Sequence, residues 1–410
     1  MGLITGILLN LPAQLKLSCP GGEEPFEEKM NEARNGYFAL FGKKLPKGVV
    51  ILKRPDDNAA SEGIGFAGVI LSAGIGSAGL IYSSKTDKAS QQTFWELYQA
   101  RKSYLLKSGG VMAWLIDKNG KKLNHDSASD GDQDWIAAEL TALHKIKAGR
   151  WPLPAGLTLA DLEKEVRRDL NAFWDAHIKE VNGKLIFLAS DGGWAKRGDG
   201  REIYYPSYPD PAFIRLFAEF DKAHDWKKLA DDVQALNQEV LNNYKKLGAV
   251  GQNPMPAKVF VSVASNGNFR IENYYTISKR EGVKAADLKD NELDAIRFFL
   301  RMGRAAILNH DQKAVKMLAQ IIAIAKITDP SSAYILAGEK GAPSKWGYNN
   351  TLARASYGLA VIGSGNNALA REFFCTVLRD HKGRFFGEWD GAKNYYYDQS
   401  LILQILDLVK

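Results

Sequence analysis

The sequence predicts an all-α fold in which six helical hairpins close into a ring, with short β excursions. Three observations carry this expectation. Twelve segments show apolar residues at three-and-four spacing. The second of them sits in a stretch of nineteen residues without a charge, Ile64 to Tyr82, while others carry one charged face. No Pro/Gly/Ser-rich linker divides the 410 residues, and one large helical domain can hold a chain of that length.

The expected helices run at 26–41, 61–82, 90–107, 130–147, 160–181, 210–223, 225–246, 291–307, 311–326, 350–363, 366–379 and 396–409. The stretch DLEKEVRRDLNAFWDAHIKEV is amphipathic, with a charged face suited to an outer layer. The uncharged run ending at Tyr82 is long enough to cross a bilayer. Its Gly and Ser content favours a helix buried inside a helical protein. Ser61, Ser129, Asp225 and Asn349 stand at helix starts as N-cap candidates. Two segments, GKLIFLASDGGWAKRGDGREIYY and AKVFVSVASNGNFRIENYYTIS, read as strands and turns through β-branched residues and Asn-Gly or Asp-Gly pairs.

Twelve helices in sequence make six hairpins. Closed into a ring, they put even-numbered helices inside and parallel. Glu62, Asp130, Asp210, Asp294 and Asp398 then lie at or near inner helix starts, and would meet at one face of the ring. Acidic residues at helix starts are also ordinary caps that complement the helix dipole.

Composition narrows the class. Charged residues make up 25% and hydrophobic residues 45%, as in a globular protein with a sizeable core. The net charge of +7 is scattered, with no basic run of five, so neither nucleic acid nor a membrane is an expected partner. Cys19 and Cys375 form neither a disulfide framework nor a zinc spacing. Residues 1–22 are set apart as an N-terminal segment, a tail or a degraded signal, since no basic n-region precedes the apolar run. Residues 23–410 form the expected single catalytic domain. Nine Trp and sixteen Tyr supply flat surfaces of the kind that hold sugar rings.

Five motifs carry chemistry: SEGIGFAG with Glu62, ASDGDQDWIAAEL with Asp130 and Asp132, YYPSYPDPAFIRLFAEF, LDAIRFFLRMG with Asp294 and Arg297, and YYYDQSLILQIL. In this order and spacing the chain resembles glycoside hydrolase family 8, from about Tyr37 to the C-terminus. That family includes bacterial endoglucanases, the cellulase of cellulose-secretion operons, licheninases, xylanases and some chitosanases, and its fold is an (α/α)6 barrel. The ASDGD block is the most specific match, PSY and DAIR are less so, and SEG is weak alone.

The resemblance implies an inverting hydrolase, endo-acting on β-1,4-glucan, with Glu62 as general acid and Asp294 as general base. It implies that Asp130 binds the sugar at the cleavage point. Inversion calls for roughly 6.5–9.5 Å between Glu62 and Asp294, enough for a water. Arg297, three residues from Asp294 on one helix face, is expected to keep that carboxylate ionised. Trp114 lies where the family carries a sugar-stacking Trp. Tyr208, Tyr205, Trp194 and Tyr396 are further stacking candidates, with core packing as the alternative for each.

Three positions depart from the family pattern. Phe66 and Leu293 stand where Tyr is usual, and Tyr205 stands where Asn is usual. They place the preferred polymer in doubt more than the reaction. Xylanase and chitosanase action are the alternatives within the family; a polysaccharide lyase or a non-catalytic glycan-binding protein are those outside it. No cofactor or metal is implied. Asp130, Asp132 and Asp134 mimic the opening of a calcium loop, but Trp135 and Thr141 occupy the positions that need Gly and Glu. The family leads one to expect a monomer in an extracellular or periplasmic setting.

Overall fold

A computed structural model describes residues 19, 26–53, 69–193, 195, 199–247, 254–281, 292–333, 336–337, 342–343, 350–387 and 396–409. Each of the twelve expected segments contains a helix. In chain order they are α1 Phe26–Phe41, α2 Ser72–Ser83, α3 Lys88–Ala100, α4 Ser129–Lys147, α5 Leu159–His177, α6 Pro211–Phe220 and α7 Trp226–Asn242. After a short additional helix, α8 Tyr274–Arg280, come α9 Glu292–Asn309, α10 Gln312–Ala325, α11 Asn350–Gly363, α12 Asn367–Arg379 and α13 Tyr396–Val409.

Helices α2, α4, α6, α9, α11 and α13 pack each against the next, and α13 packs back on α2, so the inner ring is closed. An outer helix backs each one: α3 on α2, α5 on α4, α7 on α6, α10 on α9, α12 on α11 and α1 on α13. The architecture is the expected (α/α)6 barrel. The sixth hairpin joins the first of the described helices to the last.

Local sequence explains the two layers. Outer α5 buries Leu162, Val166, Leu170 and Phe173 on one stripe and is capped by a reciprocal Thr158–Asp161 box. Inner α4 buries fifteen of its nineteen residues, because it has neighbours on every side. The inner helices α2 and α4 approach through glycine. A Cβ on Gly76 would lie 2.6 Å from the Gly131 carbonyl oxygen, and one on Gly131 would lie 2.7 Å from Ser72 Oγ.

Helix α2 begins at Ser72, eleven residues later than the expected start at 61. Ile70–Leu71 form a short strand, β1, paired antiparallel with Leu115–Ile116, β2. Glu62 is therefore not a first-turn residue of α2, and it lies with Ser61 and Phe66 outside the described residues. Among the described residues no helix is long and apolar enough to cross a membrane. Asp225 does cap α7, accepting from Lys228 N at 3.0 Å. Ser129 does not cap α4: Ala128 takes the cap position, and Ser129 Oγ bonds the Ala189 carbonyl at 3.2 Å. Asn349 lies outside the described residues.

The strand-like segments form the expected excursions. Antiparallel Ile178–Val181 and Lys184–Phe187 turn at Asn182 and Gly183, both with positive φ. Strand Glu202–Tyr204 pairs with Val259–Val263, which pairs in turn with Phe269–Glu272. The two cysteines are joined in a disulfide, Cys19–Cys375, that spans 356 positions and fastens Cys19 to α12. The sequence reading did not anticipate this bond.

Candidate active site

The N-terminal ends of the inner helices carry the acidic residues. Asp130 is in the first turn of α4, Asp210 is the N-cap of α6, and Asp294 and Asp398 are the third residues of α9 and α13. Asp210 caps directly, accepting from Ala212 N at 3.0 Å. Burial is severe: Asp130 is 3% exposed and Asp210 is fully buried.

Three arginines of α9 pair with Asp130, Asp134, Asp210 and Asp294. Arg297 donates through Nη2 to Asp294 Oδ1 at 2.7 Å and through Nη1 to Asp130 Oδ2. One turn on, Arg301 donates to both carboxylate oxygens of Asp134, with Nη2 at 3.0 Å from Oδ2. Arg304 then donates to Asp210 and to Gln404 of α13. The two Asp–Arg rungs have the same sequence offset, 167, as parallel helices require. Asp130 and Asp134, four apart on α4, face Arg297 and Arg301, four apart on α9. Buried carboxylates need such partners, since an unpaired charge is costly away from water.

Asp294 is the most open of the four acids in these contacts, with 23% of its side chain exposed. Burial raises its carboxyl above the usual range, and Asp130 adds to the rise; Arg297 and Lys258 oppose it. Arg297, expected to favour the ionised carboxylate, acts in that direction against the desolvation that favours the protonated form.

Aromatic rings wall this cluster. Arg297 lies over the Tyr208 ring at 4.7 Å and over the Tyr397 ring at 5.3 Å. Tyr208 packs on Tyr205 with centroids 4.5 Å apart. Gln133 of α4 fixes this loop by donating to the Tyr208 carbonyl at 3.1 Å and accepting from Asp210 N at 2.9 Å. Tyr205, Tyr208 and Tyr396 are all buried. Trp114 is partly buried; its carbonyl accepts from Ser72 N at 3.0 Å, which seats it at the start of α2 beside the Gly131 contact.

The structure therefore brings together Asp130, Asp294, Arg297, Tyr205 and Tyr208. Glu62 and Trp194 lie outside the described residues, as does the side chain of Leu293. Asp132 turns away from Asp130: it accepts from Met112 N at 2.8 Å and meets His177 Nε2 at 3.3 Å. The three aspartates thus have three separate sets of partners, unlike a calcium loop, and no group of metal-binding side chains is found among the described residues. Tyr397, Lys258 and the Asp210–Arg304 pair were missed. For the arginines a signal existed: positions 297, 301 and 304 repeat at helical spacing on a helix whose inward stripe should be apolar.

Residues 69–254 match the family model described as glycosyl hydrolases family 8. That segment contains Trp114, Asp130, Tyr205 and Tyr208, but neither Glu62 nor Asp294. The chain is 29% identical over 189 residues to "Endoglucanase C" of Ruminiclostridium cellulolyticum, a match covering 45% of this chain and 35% of that relative. The chain thus spans about a third of the length of the curated relatives it matches. Among solved structures, a β-1,3-1,4-glucanase from Paenibacillus sp. X4 aligns with a TM-score of 0.71 and 16% identity, over 96% of this chain and 93% of that one. Rex8A from Paenibacillus barcinonensis, complexed with xylose, aligns at 0.61 and 17% identity, over 94% and 93%. These structural likenesses establish the shared fold.

Proposed function

We propose that this chain, whose residues 69–254 match the model of glycosyl hydrolases family 8, is a member of that family and an inverting, endo-acting hydrolase of β-1,4-glucan. In this reading Asp294 is the general base, Glu62 the general acid and Asp130 a sugar-binding carboxylate. The observation that carries it is the shared Arg297, which holds Asp294 and Asp130 together at the mouth of the inner ring.

The chemistry follows a single displacement. Asp294 takes a proton from a water as the water oxygen attacks the anomeric carbon. The bond to the glycosidic oxygen breaks on the opposite face, and Glu62 donates a proton to that leaving oxygen. The product carries an inverted anomeric hydroxyl. Asp294 suits the base role because it is the more open carboxylate of its pair. Asp130 is more enclosed, and its position beside Arg297 suits it to accept from a sugar hydroxyl. Tyr208, Tyr205, Trp114 and Trp194 are assigned to the sugar faces, through burial and dispersion.

Residues 23–410 act as one catalytic domain, and the enzyme works as a monomer outside the cell or in the periplasm. The Cys19–Cys375 disulfide supports that compartment, since such bonds persist where thiols are not kept reduced.

The test is a reducing-sugar assay over carboxymethylcellulose, barley β-glucan, xylan and chitosan, with the first-formed anomer followed by NMR. Turnover of β-1,4-glucan with inversion is expected. Retention, or no cleavage of any of the four, sinks the reading. Glu62→Gln is expected to lose hydrolysis, by about 10²–10⁴-fold for a general acid, while still binding oligosaccharide; full activity in that variant rules out Glu62 as the donor.

A further inference from the structure

We propose that Lys258 is a second positive charge of the active site, a positioning residue that acts through space on Asp294 and holds it ionised. This rests on the reading of Asp294 as the base.

The placement comes from the sheet. Tyr204 pairs with Val259 at the end of the antiparallel ladder, so Tyr205 and Lys258 are the next opposed positions. Lys258 is only 6% exposed, unusual for a lysine. Its ammonium lies 4.4 Å from the Tyr274 ring centroid and 5.7 Å from that of Tyr205. Tyr205 packs on Tyr208, and the far side of that pair meets Arg297. Two cations therefore bracket a tyrosine pair, and Asp294 bonds one of them at 2.7 Å. A burial of this kind is costly for an ammonium unless it faces π-electron density and negative charge, and this wall provides both.

Among the described residues, the charged and titratable groups that interact with Asp294 come from several elements. Arg297 comes from its own helix, Asp130 from α4 and Lys258 from the position just before the central strand of the three-stranded sheet; Tyr208 precedes α6, and Tyr396 and Tyr397 open α13. The tyrosines stay neutral, because burial pushes their hydroxyls far up. Burial and Asp130 favour the protonated carboxyl, whereas Arg297 and Lys258 favour the carboxylate. Arg297 divides its charge between two carboxylates, and Lys258 adds a second cation that favours the carboxylate form of Asp294.

The experiment compares the parent with Lys258→Met and Lys258→Arg, each also in an Asp294→Asn background. Loss of Lys258 makes Asp294 harder to ionise, so the acidic limb of kcat/KM is expected to move to higher pH by about 0.5–1 unit. Lys258→Arg is expected to restore it. An acidic limb that does not move overturns the proposal. A second readout needs no activity: the thermal midpoint difference between Lys258→Met and the parent should grow over the pH range in which Asp294 ionises. That growth should vanish in the Asp294→Asn background. A difference that is flat with pH, or equal in both backgrounds, shows that Lys258 only braces the sheet and overturns the proposal. Turnover retained by Asp294→Asn defeats the base reading instead, and leaves the charge coupling to be judged by the midpoints.

Discussion

Arg297 reaches across 167 positions of sequence to Asp130, and the same guanidinium holds Asp294 three residues away. Removing it strands two carboxylates in a buried site. Arg297→Met is expected to cost about 3–5 kcal/mol of stability, the range for breaking a buried pair by deleting one partner, and to abolish measurable turnover. Arg297→Lys keeps a charge but cannot donate along two directions from a planar fork. It should recover part of the stability and little of the activity. Thermal unfolding and initial rates on β-glucan check both, and a fully active Lys variant would contradict the shared-cation geometry.

Gly131 sits between Asp130 and Asp132, where α4 meets α2. A methyl group there would press on Ser72 and Ala73 at 2.7 Å. Gly131→Ala is expected to push the helix starts apart, at about 1–3 kcal/mol for overpacking. Because Asp130 moves with the backbone, kcat should fall more than the stability loss alone explains. Equal kcat in a destabilised variant would show that the first turn of α4 tolerates the shift.

Asp398 is 3% exposed, and its Oδ1 has no hydrogen-bond partner among the described residues. Burial pushes its carboxyl up to about 7. The folded chain thus keeps a proton that the unfolded chain releases near pH 4, so this group's contribution to stability falls as pH rises from about 4 to about 7. Asp398→Asn removes the titration. The variant should match the parent near pH 4 and exceed it near pH 8, by at least about 1 kcal/mol. Chemical denaturation at the two pH values checks this; a gap independent of pH would mean that Asp398 does not titrate as described.

The Cys19–Cys375 disulfide closes a loop of 356 positions. Its loss, by reductant or by Cys375→Ser, is expected to cost about 2–5 kcal/mol. Differential scanning calorimetry with and without dithiothreitol should show a lower midpoint in the reduced protein. An identical midpoint would mean that Cys19 adds nothing to the hold on α12.

Much of this was legible in the string of residues. Helices α1, α11 and α13 begin and end where periodicity places them, because each meets a clear change of pattern. The start of α2 was not, since β1 hides in an uncharged run where helix and strand periods look alike. Asp130, Asp294 and Arg297 were found through motif spacing. Lys258 was not, because a lysine before a strand ordinarily reads as solvated. Only the register of Tyr204 on Val259 turns it toward the tyrosines. The disulfide was hidden for a similar reason: two cysteines so far apart say nothing of each other until the ring closes.

The pairing of α1 with α13 bears on how the molecule is made. A chain emerging from the ribosome exposes α1 before the other described helices, and its partner α13 after them. Until Val409 has been synthesised, the growing barrel is an open arc with an apolar gap where α13 belongs. Contacts between such distant positions form slowly, and unfilled apolar surface invites aggregation in the interval. Docking of α13 onto α1 and α2 is therefore the step that turns a row of hairpins into a sealed ring.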